Sequence, residues 1–280
     1  MSTSSDANGP PFVVVDGDPG SRIVIHVPHA STIVPGRVRQ RIELSDEELA
    51  QELVLMTDAA TDRIAREASD LSEMRPWLFI NQRSRLVVDP ERFPDPVDEV
   101  MAAPDIGMGA VYERTAHGGE LREDDAAHRD ELITAFFDPY AGALTDFVEG
   151  RLEADGQVTI VDLHSYPAAE LPYERHVHAD APRPACCIGT DERHTPPELA
   201  DAVQAVFRGL GETMVNQPFA GTYVPLRFYG TDLRVRSVMV ELRRDTYQES
   251  PTDVARVAGM LARLCDVLDA GRPSTPGGRD

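Results

Sequence analysis

The chain has 280 residues, 41% of them hydrophobic and 27% charged, so it is long enough for one domain, or at most two, with a buried core. Its 48 acidic residues outnumber 27 basic ones, giving a formal net charge of -21 that argues against nucleic acid and against an anionic membrane surface as partners. Every basic residue is arginine, which excludes Schiff-base chemistry on a lysine and the phosphate-loop lysine.

Residues 1–11 and 271–280 read as disordered tails around a single domain over 12–270. The N-terminal stretch has neither a basic nor an apolar region, so no signal peptide is expected. RIVIHVP (22–28) reads as a buried strand, and Ser45 with Glu48 forms a capping box that opens a helix through about Ala68. WLFIN (77–81) and RLVVD (85–89) read as strands or extended segments, followed by a long irregular stretch over 90–119. A helical pattern covers 124–152, with a bend expected at Pro139. VTIVDLH (158–164) and ACCIGT (185–190) are strands, 197–210 a helix, VRSVMVEL (235–242) a strand and 252–269 an amphipathic helix. This alternation predicts a three-layer αβα domain with a mixed, mostly parallel sheet. No apolar run approaches the ~20 residues of a membrane span. Cys186, Cys187 and Cys265 are too few for a disulfide framework, so a reduced, cytoplasmic setting is expected.

In such sheets ligands gather beyond the carboxyl ends of the strands. Three strand ends carry reactive side chains: His26 and His29 in HVPHAS, Asp162 and His164 in VDLHS, Glu241 and Arg243 in VELRR. Two histidines with one carboxylate are a common catalytic zinc set, and a further Glu within reach of the bound water serves as base. Asp162 reads as a residue that orients a ligating imidazole. Asp58 and Asp62, four apart on the first helix, are either a solvated edge or part of the metal site. Arg85, Asp89 and Arg92 are either surface ion pairs or a clamp for a carboxylate. Asn216, Tyr223 and Tyr229, in a Gly/Pro-rich aromatic loop, form a substrate wall or a packed loop. His117, His128, His176, His178 and His194 read as surface residues. No dinucleotide fingerprint precedes a helix, and GxSxG is absent.

Taken in chain order, HVPHAS (26–31), DAATD (58–62), VVDPERF (87–93), DLHS (162–165), NQPFAGTYVP (216–225) and VELRRDTY (240–247) resemble the N-formylglutamate amidohydrolase family. That family is similar in fold to zinc carboxypeptidases and aspartoacylases. Their His-x-x-Glu motif, Asn-Arg clamp, later His and late catalytic Glu map onto the HVPH segment, Glu91-Arg92, His164 and Glu241. Three positions depart from the pattern. Counting from His26 puts His29 in the Glu place, and counting from His29 puts Thr32 there; the clamp reads Glu91-Arg92; and Pro139-Tyr140 is followed by Ala141 where many members have His.

The resemblance implies hydrolysis of N-formyl-L-glutamate, or a related small N-acyl acidic amino acid, with one zinc per chain. His29 and His164 bind the metal, with the third ligand open among His26, Asp58 and Asp62. Glu241 is the general base, Arg85 assists the oxyanion, and Arg92 and Arg243 hold substrate carboxylates, with Asn216 and Tyr223 nearby. A metallocarboxypeptidase or another N-acyl amino acid deacylase on the same scaffold is one alternative. A non-catalytic binding protein with a degenerate pocket is the other.

Overall fold

Runs such as VTIVDLHSY are too uniformly apolar to leave one side in water, and they become the centre of a seven-stranded sheet. The computed structural model describes residues 9–95, 106–174 and 182–270. The strands are β1 (Phe12–Val15), β2 (Ile23–Val27), β3 (Trp77–Asn81), β4 (Val158–Tyr166), β5 (Cys186–Gly189), β6 (Thr213–Val215) and β7 (Val235–Arg243), in the order β1-β3-β2-β4-β7-β5-β6. Only the β1/β3 and β5/β7 pairs are antiparallel, so the sheet is mixed and mostly parallel.

The helices are α1 (Gly36–Arg39), α2 (Asp46–Met56), α3 (Thr61–Leu71), α4 (Ala126–Leu132), α5 (Asp138–Asp155), α6 (Pro197–Phe207) and α7 (Pro251–Ala270). Ile64, Val203 and Leu261 of α3, α6 and α7 pack on one face of the sheet with Ile25, Val161, Leu163 and Val240. Leu144 and Val148 of α5 cover the other face with Val24, Phe79, Ile160 and Val235. Side chains alternate along a strand, so these contacts assign every position of the central strands to a face. His26, Asp162, His164 and Glu241 all fall on the α5 face. The register pairs His26 with Asp162 and His164 with Glu241.

Several predicted elements come out differently. The first helix is two helices, separated at Thr57–Ala60, where Ala60 has φ 62° and Asp58 N–H donates to the His29 carbonyl. RLVVD is a turn, not a strand: Leu86 and Val87 amides donate to Ser84, and the Asp89 amide donates to Ala110. The central helix is interrupted by a π turn over Ile133–Phe137, just before Pro139, which sits in the first turn of α5. The short edge strands β1 and β6 escape sequence reading because three or four residues carry too little periodicity. The predicted tails lie outside the described residues, apart from residues 9–11.

The capping box is present: the Ser45 hydroxyl accepts from the Glu48 amide, and the Glu48 carboxylate accepts from the Ser45 amide. Ser45→Ala is expected to cost about 1 kcal/mol. A lower urea midpoint with an unchanged denaturant slope is the reading that checks it.

Candidate active site

A cavity of about 410 Å³ opens beyond the carboxyl ends of β2, β4 and β7. His29, Asp58 and His164 meet in its floor, all buried. Each arrives by a separate local device. His29 follows the end of β2. His164 shares the cavity face with Asp162, two residues earlier on β4. Asp58 is turned inward because α2 stops at Met56; were the helix continuous, it would stay on the helix surface. The Arg244 guanidinium donates to the Leu55 carbonyl at the end of α2 and lies 3.6 Å from Asp58 Oδ1, which holds that break in place.

His29 Nδ1 lies 3.2 Å from His164 Nδ1, and Asp58 Oδ2 lies 3.1 Å from His164 Nδ1 and 3.7 Å from His29 Nδ1. The outer nitrogens face carboxylates. His29 Nε2 is 2.9 Å from Asp89 Oδ1, and His164 Nε2 is 3.2 Å from both Asp162 Oδ1 and Glu91 Oε2. Asp89 is itself gripped by Arg85, at 2.6 Å, and by the Tyr112 hydroxyl. A carboxylate on Nε2 favours a proton there, which leaves the lone pair on Nδ1. Two imidazole lone pairs and a carboxylate oxygen therefore point at one another. Ligand atoms around a tetrahedral ion with bonds of ~2.05 Å are roughly 3.4 Å apart, so this donor set fits a single divalent cation. Six carboxylates and four guanidiniums line the cavity.

The titration behaviour has the same origin. For His164, burial opposes the charged ring, but Glu91, Asp162 and Asp58 outweigh it and hold its pKa well above the ordinary value. For His29, burial and Arg85 work downward, and Asp89 and Asp58 prevail, so its pKa is raised. Asp58, Asp89 and Asp162 are held low despite burial, by their histidine neighbours and, for Asp89, chiefly by Arg85. Burial pushes Glu241 up to about 8, and its Oε2 has no hydrogen-bond partner among the described residues. Burial, with Asp162 second, also raises Glu91.

The remaining predicted residues divide. Arg85, Arg92 and Tyr223 line the cavity with Glu241. Arg243 does not: its guanidinium donates to Asp245 and to the Arg183 carbonyl, and the cavity position is taken by Arg244. Asn216 is exposed, with φ 54°, and its side chain ties the loop to Thr190 instead of reaching the cavity. His26 sits behind the floor, 2.8 Å from Asp162 and 2.7 Å from the Tyr140 hydroxyl. Asp62 is the second residue of α3 and does not line the cavity. His194 is fully buried, not on the surface, bonded to the Val235 carbonyl and the Gly230 amide, and His128 is buried too; His176 and His178 lie outside the described residues. Sequence reasoning did not single out Tyr112 and Tyr173, which sit beside Arg85 in a region without periodic signal.

Among solved structures, the fold is similar to an N-formylglutamate amidohydrolase from Ralstonia eutropha JMP134, with a TM-score of 0.74, 21% identity, and coverage of 93% of this chain and 97% of that one. It is also similar to a gene product of Agrobacterium tumefaciens, with a TM-score of 0.70, 21% identity, and coverage of 94% and 96%. A search of curated proteins finds no match. The family model for N-formylglutamate amidohydrolase matches residues 21–248, a span that runs from β2 to the residues just after Arg244 and holds every side chain of the cavity floor. On that match, the chain belongs to the N-formylglutamate amidohydrolase family, whose activity is the hydrolysis of an amide.

Proposed function

We propose that the protein is a zinc-dependent hydrolase that cleaves N-formyl-L-glutamate, or a close N-acyl analogue, to the acid and the free amino acid. The observation that carries this reading is the convergence of His29 Nδ1, His164 Nδ1 and Asp58 Oδ2, within 3.1–3.7 Å of each other, in a cavity also lined by Glu241, whose Oε2 has no hydrogen-bond partner among the described residues. These three residues would hold one zinc, which would supply Lewis-acid charge and lower the pKa of a water toward neutrality.

Glu241 accepts a proton from the attacking water and returns it to the amine nitrogen as the carbon–nitrogen bond breaks. Burial raises its pKa, so its carboxylate is a stronger base than that of an ordinary glutamate. Arg85 is fixed by Asp89 and Tyr112, so its charge is aimed before substrate arrives and can stabilise the developing oxyanion. Arg92 and Arg244 supply guanidiniums for the substrate carboxylates, in place of the pairing expected with Arg243. An acidic protein thus offers an acidic ligand a local set of arginines. No helix of the described residues is long and apolar enough to cross a membrane. The three cysteines are free and buried, in keeping with a cytoplasmic setting.

Purified zinc-loaded protein is expected to release formate from N-formyl-L-glutamate with a higher kcat/KM than from N-formyl-L-norvaline, which lacks the side-chain carboxylate. Equal rates on the two would remove the acidic substrate from this reading. Faster turnover of N-acetyl or longer acyl glutamates would favour the broader deacylase.

A further inference from the structure

Both nitrogens of His26 are engaged, and Nδ1 also lies 3.4 Å from Glu91 Oε1. Nδ1 lies 2.8 Å from Asp162 Oδ1, and Nε2 lies 2.7 Å from the Tyr140 hydroxyl. An ionised carboxylate only accepts hydrogen bonds, so the ring proton belongs on Nδ1, and Nε2 accepts from tyrosine. The same Asp162 Oδ1 is 3.2 Å from His164 Nε2, within ion-pair distance but not aligned for a hydrogen bond, and Asp162 Oδ2 accepts from the Tyr223 amide at 3.0 Å. His26, Tyr140, Asp162 and His164 are each no more than 3% exposed. Four separate segments meet here: β2, β4, α5 just past the π turn, and the loop before β7. The Tyr223 ring, 5.0 Å from that of His26, closes one side.

We propose that His26 is a positioning residue: a buried chain Tyr140–His26–Asp162–His164 fixes the angle of the His164 ring and thereby sets the affinity of the His29–Asp58–His164 site for its cation. This rests on the reading of those three residues as the metal site. In the chain, His26 holds one carboxylate oxygen while the Tyr223 amide holds the other, so Asp162 cannot rotate away from His164. The sequence pattern offered His26 as a ligand; the geometry makes it a brace behind one. Outer-shell partners of ligating histidines typically contribute 10–100-fold to metal affinity.

The test compares His26→Leu, His26→Asn and Tyr140→Phe with the parent, using zinc affinity from competition with a chromophoric chelator. His26→Leu is expected to weaken zinc binding by about 10–100-fold. His26→Asn, whose amide nitrogen can take the place of Nδ1, is expected to recover most of that loss. Tyr140→Phe removes a single oxygen and decides the matter should His26→Leu fail to fold, with a smaller weakening expected. Long-range nitrogen–proton NMR of the metal-free parent is expected to show His26 with its proton on Nδ1. Unchanged affinity in the folded variants overturns the proposal. So does a His26 proton on Nε2 alone. So would two zinc ions per parent chain falling to one in His26→Leu, because His26, Glu91 and Asp162 would then be ligands of a second ion. A parent that binds no zinc at all sinks the metal reading instead, and the tautomer still decides whether His26 donates to Asp162.

Discussion

Glu241→Gln is expected to keep the fold and the metal and to lose about three to four orders of magnitude in kcat/KM, at the upper end of what general acid–base catalysis contributes. The substitution is nearly isosteric and leaves the three donors of the floor untouched. Glu241 sits opposite His164 in the β4/β7 register, so its carboxyl is delivered by the strand itself and not by a mobile loop. What the variant lacks is a group able to take a proton from water and give it to nitrogen. Zinc content by elemental analysis and formate release, measured on the same preparation, separate the two roles. A variant with more than a tenth of parental activity would remove Glu241 from the proton path. A variant without zinc would move it into the ligand set.

Stripping the cation is the second large effect. With zinc at about a thousand times its dissociation constant, linkage gives about 4 kcal/mol of stabilisation. For a chain of this length, with an unfolding entropy of ~2.1 cal/mol/K per residue, that is a fall of roughly 7 °C in Tm on chelation. Activity should vanish with the metal and return with added zinc. His164→Ala and Asp58→Ala should reproduce the loss without chelator and without rescue.

The effect should also depend on pH. In the metal-free protein His29, His164 and Glu241 all have raised pKa values. A group with a raised folded-state pKa stabilises fully below its unfolded value and loses that contribution as pH climbs through the folded value. For Glu241 the decline runs from near 4.5 to about 8, and the imidazoles add theirs from about 6.5 upward. Metal-free protein should therefore lose stability across this range. The zinc-loaded form, in which the cation replaces the imidazole protons, should lose less, so the Tm gap widens with pH. A gap that narrows from pH 5 to pH 8 would count against the metal site.

The strand ends show how far local pattern reaches. The two-residue period of VTIVDLH puts Asp162 and His164 on one face, and the apolar content of HVPH and VMVEL makes their strands central, so neighbours in the sheet follow from composition. That is why His29, His164 and Glu241 could be named as partners before any fold was known. The helix carrying Asp58 and Asp62 shows where pattern stops. Helical periodicity treats the two as equivalents on one face, but the chain breaks at Thr57–Ala60, and only Asp58 reaches the histidines. The break is held by the bond from the Asp58 amide to the His29 carbonyl and by Arg244, contacts from far along the chain. Arg243 and Arg244 differ in the same way. One residue of offset at the end of β7 sends one guanidinium to Asp245 and the other to Asp58.

By itself, then, the amino-acid order determined the three-layer αβα sheet and the reactive strand ends, through short-range periodicity and residue chemistry, and the family, through the resemblance of its motifs. The tertiary structure alone decided which carboxylate joins the two histidines, that His26 stands behind the floor, and that Arg85 is braced by Asp89 and Tyr112. Those outcomes turn on distances of about an ångström between segments as much as 136 residues apart, set by packing of whole helices against the sheet.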